Sequence, residues 1–248
     1  MSSRKRVLEK ATRNALKLMN DAGFGISDRL RVAVDPKLSF MGYSTRSDGG
    51  DVIVVSGMAL KSGMIEGLLI HEMCHIYRTN THHPSRNQEL LNRVGQYVTR
   101  KNHLTEDYQI AVVQQAVNHI QDLYADDVAF QVFDRSETFP PDQAFDFFLS
   151  WMNDEPAASR NVKAVWLNIG MMLNNCFALS NMIRHRVPDV NNQAENRVQK
   201  FLSLATERVR GEFAYFKSFM TGLKENVTEK EFEENLTNYL IRITELAS

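Results

Sequence analysis

From residue 57 onward, almost every stretch of this sequence repeats its apolar residues at intervals of three and four, and its prolines fall at or between the ends of those stretches. That is the period of an α-helix, interrupted where a helix tolerates interruption. The pattern predicts helices over 62–79, 86–101, 105–132, 141–153, 160–186, 189–222 and 228–246, with another over 5–20. Thr105 with Asp107, Ser159, and Thr228 with Glu231 supply start signals. Only residues 29–56 read as β structure. Leu30–Val34 alternates and stops at Asp35-Pro36, and Asp51–Ser56 is a β-branched run entered through Ser47-Asp48-Gly49-Gly50. Phe40–Ser44 offers a further strand between them. The expected class is therefore α+β, mainly helical, with a small sheet of two to three strands. No repeat or low-complexity tract divides the chain. No linker forces a boundary; Pro140-Pro141 is the best candidate, and the expectation is a core over 1–135 with a helical extension over 136–248 packed on it, or one continuous domain.

Charge narrows the function classes. The formal net charge of -1 gives no whole-chain attraction to nucleic acid or to an anionic membrane. Arg4-Lys5-Arg6 is a short basic run that reads as a solvated helix end. Two cysteines, Cys74 and Cys176, are too few for a disulfide framework and point to a reducing, cytoplasmic setting. The first twenty residues form a better amphipathic helix than a secretory signal. The most apolar stretch, Val162–Ile183, carries Asn168, Asn174, Asn175 and Asn181, which suits a buried core helix rather than a membrane span. Methionines along it read as core packing. The apolar stripe of 189–222, with Val198, Phe201, Val209, Phe213 and Phe216, suits a cap on the core or a homodimer surface.

The informative string is His71-Glu72-Met73-Cys74-His75, an H-E-x-x-H motif inside a predicted helix. Residues four apart share a helix face, so His71 and His75 can converge on one ion, and neutral imidazole suits Zn²⁺. Glu72 is turned about 100° from His71. It lies beside an ion rather than on it, where it can take a proton from water as general base. Ile65, Leu68, Leu69 and Ile70 make the helix too apolar for a solvated surface element. Two histidines and a glutamate buried there without a metal would be costly.

A catalytic zinc needs three protein ligands and one open position. His82 and His83 are out of register and precede Pro84. The predicted helix 105–132 offers Asn118, Asp122 and Asp126 four apart, with His119 on the same broad face. Val117, Ile120, Leu123, Tyr124 and Val128 make the rest of that helix apolar, so its acids look placed rather than solvated. Asp122 ranks first as third ligand, followed by Asp126, His119 and Asp127, with Glu89 and Glu106 below them. Tyr124, Tyr77, Arg78 and His119 are the local options for stabilising a developing oxyanion.

Strand Asp51–Ser56 followed by the helix carrying His71-Glu72-Met73-Cys74-His75 resembles the core of zincin metallopeptidases, most closely the compact gluzincin and SprT-like forms. The resemblance covers residues 28 to 130. It implies a zincin-like fold with the sheet packed on the motif helix, a Zn²⁺ cofactor and a peptide or protein substrate. It also implies that Asp51–Ser56 is an edge strand pairing with extended substrate, with Val52, Val54 and Tyr124 as substrate-binding residues. In gluzincins the third ligand is followed four residues later by an aspartate supporting the first histidine, and Asp122-Leu123-Tyr124-Ala125-Asp126 resembles this, with aspartate in place of the usual glutamate. The metzincin extension is not matched, because Arg78 and Thr81 stand where glycine and histidine are required. The expected activity is zinc-dependent peptide hydrolysis with Glu72 as general base. The alternatives are a non-catalytic zincin scaffold acting in binding or assembly, a nucleic-acid-associated peptidase, and a non-peptidase amide hydrolase.

Overall fold

The structure, a computed structural model, describes residues 3–27, 29–136, 139–159 and 161–247. It is α+β and mainly helical. Helices α1 (Ser3–Asp21), α2 (Ile65–Asn80), α3 (Gln88–Lys101), α4 (Asp107–Ser136), α5 (Pro141–Trp151), α6 (Val162–Arg184), α7 (Gln193–Leu204), α8 (Glu207–Thr221) and α9 (Glu229–Ala247) accompany strands β1 (Arg31–Asp35), β2 (Gly42–Ser47) and β3 (Gly50–Ser56). Of the N-terminal basic run, Lys5 and Arg6 are exposed, whereas the side chain of Arg4 lies outside the described residues.

The sheet order is β1-β3-β2. β2 and β3 form an antiparallel hairpin closed at Ser47↔Gly50, while β1 pairs in parallel with β3, Arg31 opposite Val52 and Asp35 opposite Ser56. Gly50 has φ +118°, and a Cβ there would meet the Arg29 carbonyl at 2.8 Å, so the turn requires glycine. The expected edge role of Asp51–Ser56 is corrected here. β3 is the central strand, its backbone groups engaged on both sides, and Val52 and Val54 have no free edge to offer. The outer positions on either side of β3 belong to β1 and β2.

The chain groups into two compact units, residues 1–86 with 124–139, and residues 87–123 with 140–248. The first holds α1, the sheet, α2 and the second part of α4. α2 packs on α1 and on β2 and β3. Its core joins Ala15 and Met19 of α1, Ile53 and Val55 of β3, Leu69, Ile70, Met73 and Cys74 of α2, and Ala125, Val128 and Val132 of α4. The second holds α3, the first part of α4 and α5–α9. The expected partition assigned 87–123 to the core. These residues group instead with the C-terminal helices, because α3 packs against α9, where Arg93 forms a two-pronged ion pair with Glu233 at 2.8 Å.

Two of the asparagines of α6 serve the loop before it. Asn168 bonds both the N–H and the carbonyl of Ala157, and Asn175 does the same for Asn153, so two amides tie the preceding loop to the helix. Asn161, rather than Ser159, caps α6 by accepting from the Ala164 N–H at 2.8 Å. Among the described residues no helix is long and apolar enough to cross a membrane. The single helix expected over 189–222 is two. Ala205 is extended, and Thr206 starts α8 by accepting from the Val209 N–H. Val198, Phe201, Val209, Phe213 and Phe216, the expected cap or dimer stripe, are buried inside this unit.

Candidate metal centre

Helix α2 divides its surface between two neighbours. Leu69, Ile70, Met73, Cys74 and Ile76 fill the core, with the Cys74 thiol 3.8 Å from the Met19 sulfur. The remaining stripe, His71, His75 and Arg78, faces α4. The boundary between the units falls within α4, between Leu123 and Tyr124. The helix is unbroken there, so Asp122 is placed by the same element that carries Asp126.

Four residues bring the expected chemistry together. The Nε2 atoms of His71 and His75 lie 3.2 Å apart. Ligand-type atoms of His71, His75 and Asp122 all fall within 4.8 Å of one another. Asp126 does not join that cluster. Its Oδ1 sits 2.8 Å from His71 Nδ1, with the carboxylate side chain only 7% exposed. A carboxylate at Nδ1 holds the imidazole proton there and leaves the Nε2 lone pair for a metal. Asp122 is thus the carboxylate grouped with the two histidines, and Asp126 the one that touches His71.

The arrangement fits a divalent cation on two counts. Two nitrogens about 2.05 Å from one tetrahedral ion stand about 3.3 Å apart, close to the separation seen here. Charge gives the second. Glu72 and Asp126 are buried, Asp122 is half-buried, and Arg78 is the buried cation beside them. Three carboxylates against one guanidinium leave two formal negative charges in a site largely withdrawn from water, which is what a dication balances. Glu72 itself is 5% exposed and, among the described residues, forms no ion pair or hydrogen bond. It is a carboxylate held beside the histidines with its lone pairs uncommitted.

Cys74 is not part of this chemistry. Burial pushes its thiol well above the ordinary value, with Asp126 and Glu72 adding to the shift and Arg78 opposing it. It is a neutral packing group between the ligands.

Several expected residues lie elsewhere. Tyr124 is 1% exposed with its ring 4.5 Å from that of His83, so it is a core residue rather than a substrate contact. His83 Nδ1 is engaged with Ser85 Oγ at 2.8 Å. Tyr77 packs edge-on with Phe24. His119 is buried in the second unit, stacked on Phe177 at 4.7 Å and near Trp151, and neither ring nitrogen has a hydrogen-bond partner. Asn174 stands beside it, but that amide's Oδ1 accepts from Gln115 at 2.6 Å. Desolvation lowers the pKa of His119 to about 4, against smaller opposing effects of Asp122 and of the Asn174 side chain. Among the described residues it lies outside the group formed by His71, His75 and Asp122. Arg78 was weighed only as an oxyanion donor. Its Nε instead donates to the Tyr124 main-chain carbonyl at 2.9 Å.

Compared with known proteins, the chain matches the family described as "Family of unknown function (DUF5781)" over residues 14–243. No curated protein and no solved structure matches it.

Proposed function

We propose that this chain, which belongs to the DUF5781 family, is a zinc-dependent hydrolase of the zincin type that cleaves peptide bonds. The observation that carries the reading is the convergence of His71, His75 and Asp122 ligand atoms within 4.8 Å, on a helix that also presents Glu72. A structural site has no use for an uncommitted carboxylate one residue from a ligand, whereas a hydrolytic one does.

Bound zinc supplies Lewis acidity, polarising a scissile carbonyl and lowering the pKa of water toward about 7. The protein's own groups do the rest. Asp126 keeps the His71 proton on Nδ1, so that Nε2 stays a lone-pair donor. Glu72 takes a proton from the attacking water and returns it to the leaving amine, one carboxylate serving as base and then acid. Its burial strengthens that exchange by excluding competing solvent. The zincin-like core of this reading takes in the sheet, α2 and the stretch of α4 that carries Asp122 and Asp126. β2, one of the two outer strands, carries exposed Tyr43 and follows exposed Phe40, and it replaces β3 as the strand that an extended peptide would meet.

The test is elemental analysis of protein purified without a metal-affinity step, beside His71→Ala, Asp122→Ala and Glu72→Gln. One zinc per chain is expected in the parent and in Glu72→Gln, with loss in the other two. Hydrolysis of unfolded casein or a quenched peptide library is expected in the parent and absent in Glu72→Gln. Unchanged hydrolysis in Glu72→Gln refutes the base. A parent that takes up no zinc refutes the metal centre. Zinc without hydrolysis in the parent favours a binding scaffold.

A further inference from the structure

Arg78 is 4% exposed, an unusual position for a guanidinium. It continues the stripe of His71 and His75 along α2, seven residues beyond the first and three beyond the second. Its Nε donates to a main-chain carbonyl in the middle of α4, at 2.9 Å. That carbonyl belongs to Tyr124, midway in sequence between Asp122 and Asp126. A peptide carbonyl has two lone pairs, so one within a helix can accept this bond beside its own helical partner.

We propose that Arg78 is a positioning residue, pinning the α4 backbone at Tyr124 so that Asp122 and Asp126 meet the histidines of α2. The inference rests on the metal-centre reading above. A bond to the main chain holds the helix itself, independently of the rotamers of α4 side chains. With the His71–Asp126 contact at 2.8 Å it gives two fixed points between the helices. Two such points restrain both the slide of α4 along its axis and its rotation about it. The tolerance is small. Metal–ligand distances hold to about 0.2 Å, whereas a slip of one residue moves a carboxylate about 1.5 Å along the helix and turns it about 100°. Asp122 lies a full turn away from the His71–Asp126 contact, and the Arg78 bond falls between the two carboxylates. Lysine places one ammonium at the end of a flexible stem and reproduces the charge without the rigid fork.

The test compares the full-length parent with Arg78→Met and Arg78→Lys. Zinc affinity is read by competition with a chromophoric chelator, the ligand field by the visible absorption of the cobalt(II) form, and folding by circular dichroism and urea titration. The parent is expected to give an intense tetrahedral cobalt spectrum. Arg78→Met is expected to retain helical content, bind zinc at least about tenfold more weakly and show a weakened, shifted cobalt spectrum, in line with the 10- to 100-fold usual for groups that orient ligands. Arg78→Lys should recover part of the affinity. Should Arg78→Met fail to fold, Arg78→Lys decides alone, with a shifted cobalt spectrum supporting the inference and an unchanged one overturning it. Parental affinity and spectrum in a folded Arg78→Met also overturn it while leaving the metal centre intact. A parent that binds neither zinc nor cobalt sinks the metal centre and this inference together.

Discussion

Lowering the pH from 7.5 to 5 should destabilise this protein through the buried side chain of His119. His119 stacks on Phe177 with neither ring nitrogen hydrogen-bonded, and its pKa falls from 6.5 to about 4. In the unfolded chain the ring takes a proton near 6.5, whereas the folded chain refuses it until about pH 4. Stability therefore declines as pH drops through 6.5 and levels off below about 4. The full difference is on the order of 3 kcal/mol, and about 2 kcal/mol of it is lost between pH 7.5 and 5. The perturbation that isolates it is His119→Leu, which keeps an apolar group against Phe177 and Trp151 and removes no hydrogen bond. Urea unfolding of the metal-free chain, with chelator present, is measured at both pH values for parent and variant. The parent should lose about 2 kcal/mol more than His119→Leu. The variant should also be the more stable of the two at pH 5. Parallel losses, differing by less than about 0.5 kcal/mol, would refute the reasoning and mean that the ring is not excluded from water as described.

Asp126→Asn removes the charge that orients His71, so zinc affinity should fall about 10- to 100-fold by chelator competition while the helical signal is kept. Unaltered affinity would assign Asp126 to packing. Thr206→Ala deletes the cap that starts α8 and should cost about 1 kcal/mol in urea unfolding, with Thr206→Ser restoring most of it. Phe216→Ala, at a fully buried position beside Tyr239 in the second unit, should cost about 3–5 kcal/mol, read as a lowered thermal midpoint.

The convergence of the candidate site was more legible in the amino-acid sequence than the topology. His71 and His75 are four apart, and a helix brings such a pair to one face whatever surrounds it. Asp122 and Asp126 obey the same rule on a second helix, and the apolar residues between them marked their face as an inward one. Those signals are local. Strand order is not, and the alternation in Asp51–Ser56 reads the same for an edge strand as for a central one. The partnership of α3 with α9 spans 140 residues at Arg93–Glu233, beyond the reach of any periodicity. The break at Ala205–Thr206 was readable in principle, since Thr206 precedes a charged first turn, but the apolar stripe running through it masked the stop. Arg78 escaped for a different reason. Spacing shows which face of α2 it occupies, but not that a backbone carbonyl of α4 lies opposite it.

The discontinuous first unit has a consequence for biosynthesis. His71 and Asp126 are 55 positions apart, and residues 87–123, which group with the other unit, are made between them. At the usual pace of translation, about 5–20 residues per second, the two histidines precede their acidic partners by several seconds. During that interval the growing chain offers two imidazoles and no carboxylate cage, a poor competitor for cellular zinc. On the proposed metal-centre reading, metal capture waits until α4 has been made, and hydrolysis waits with it.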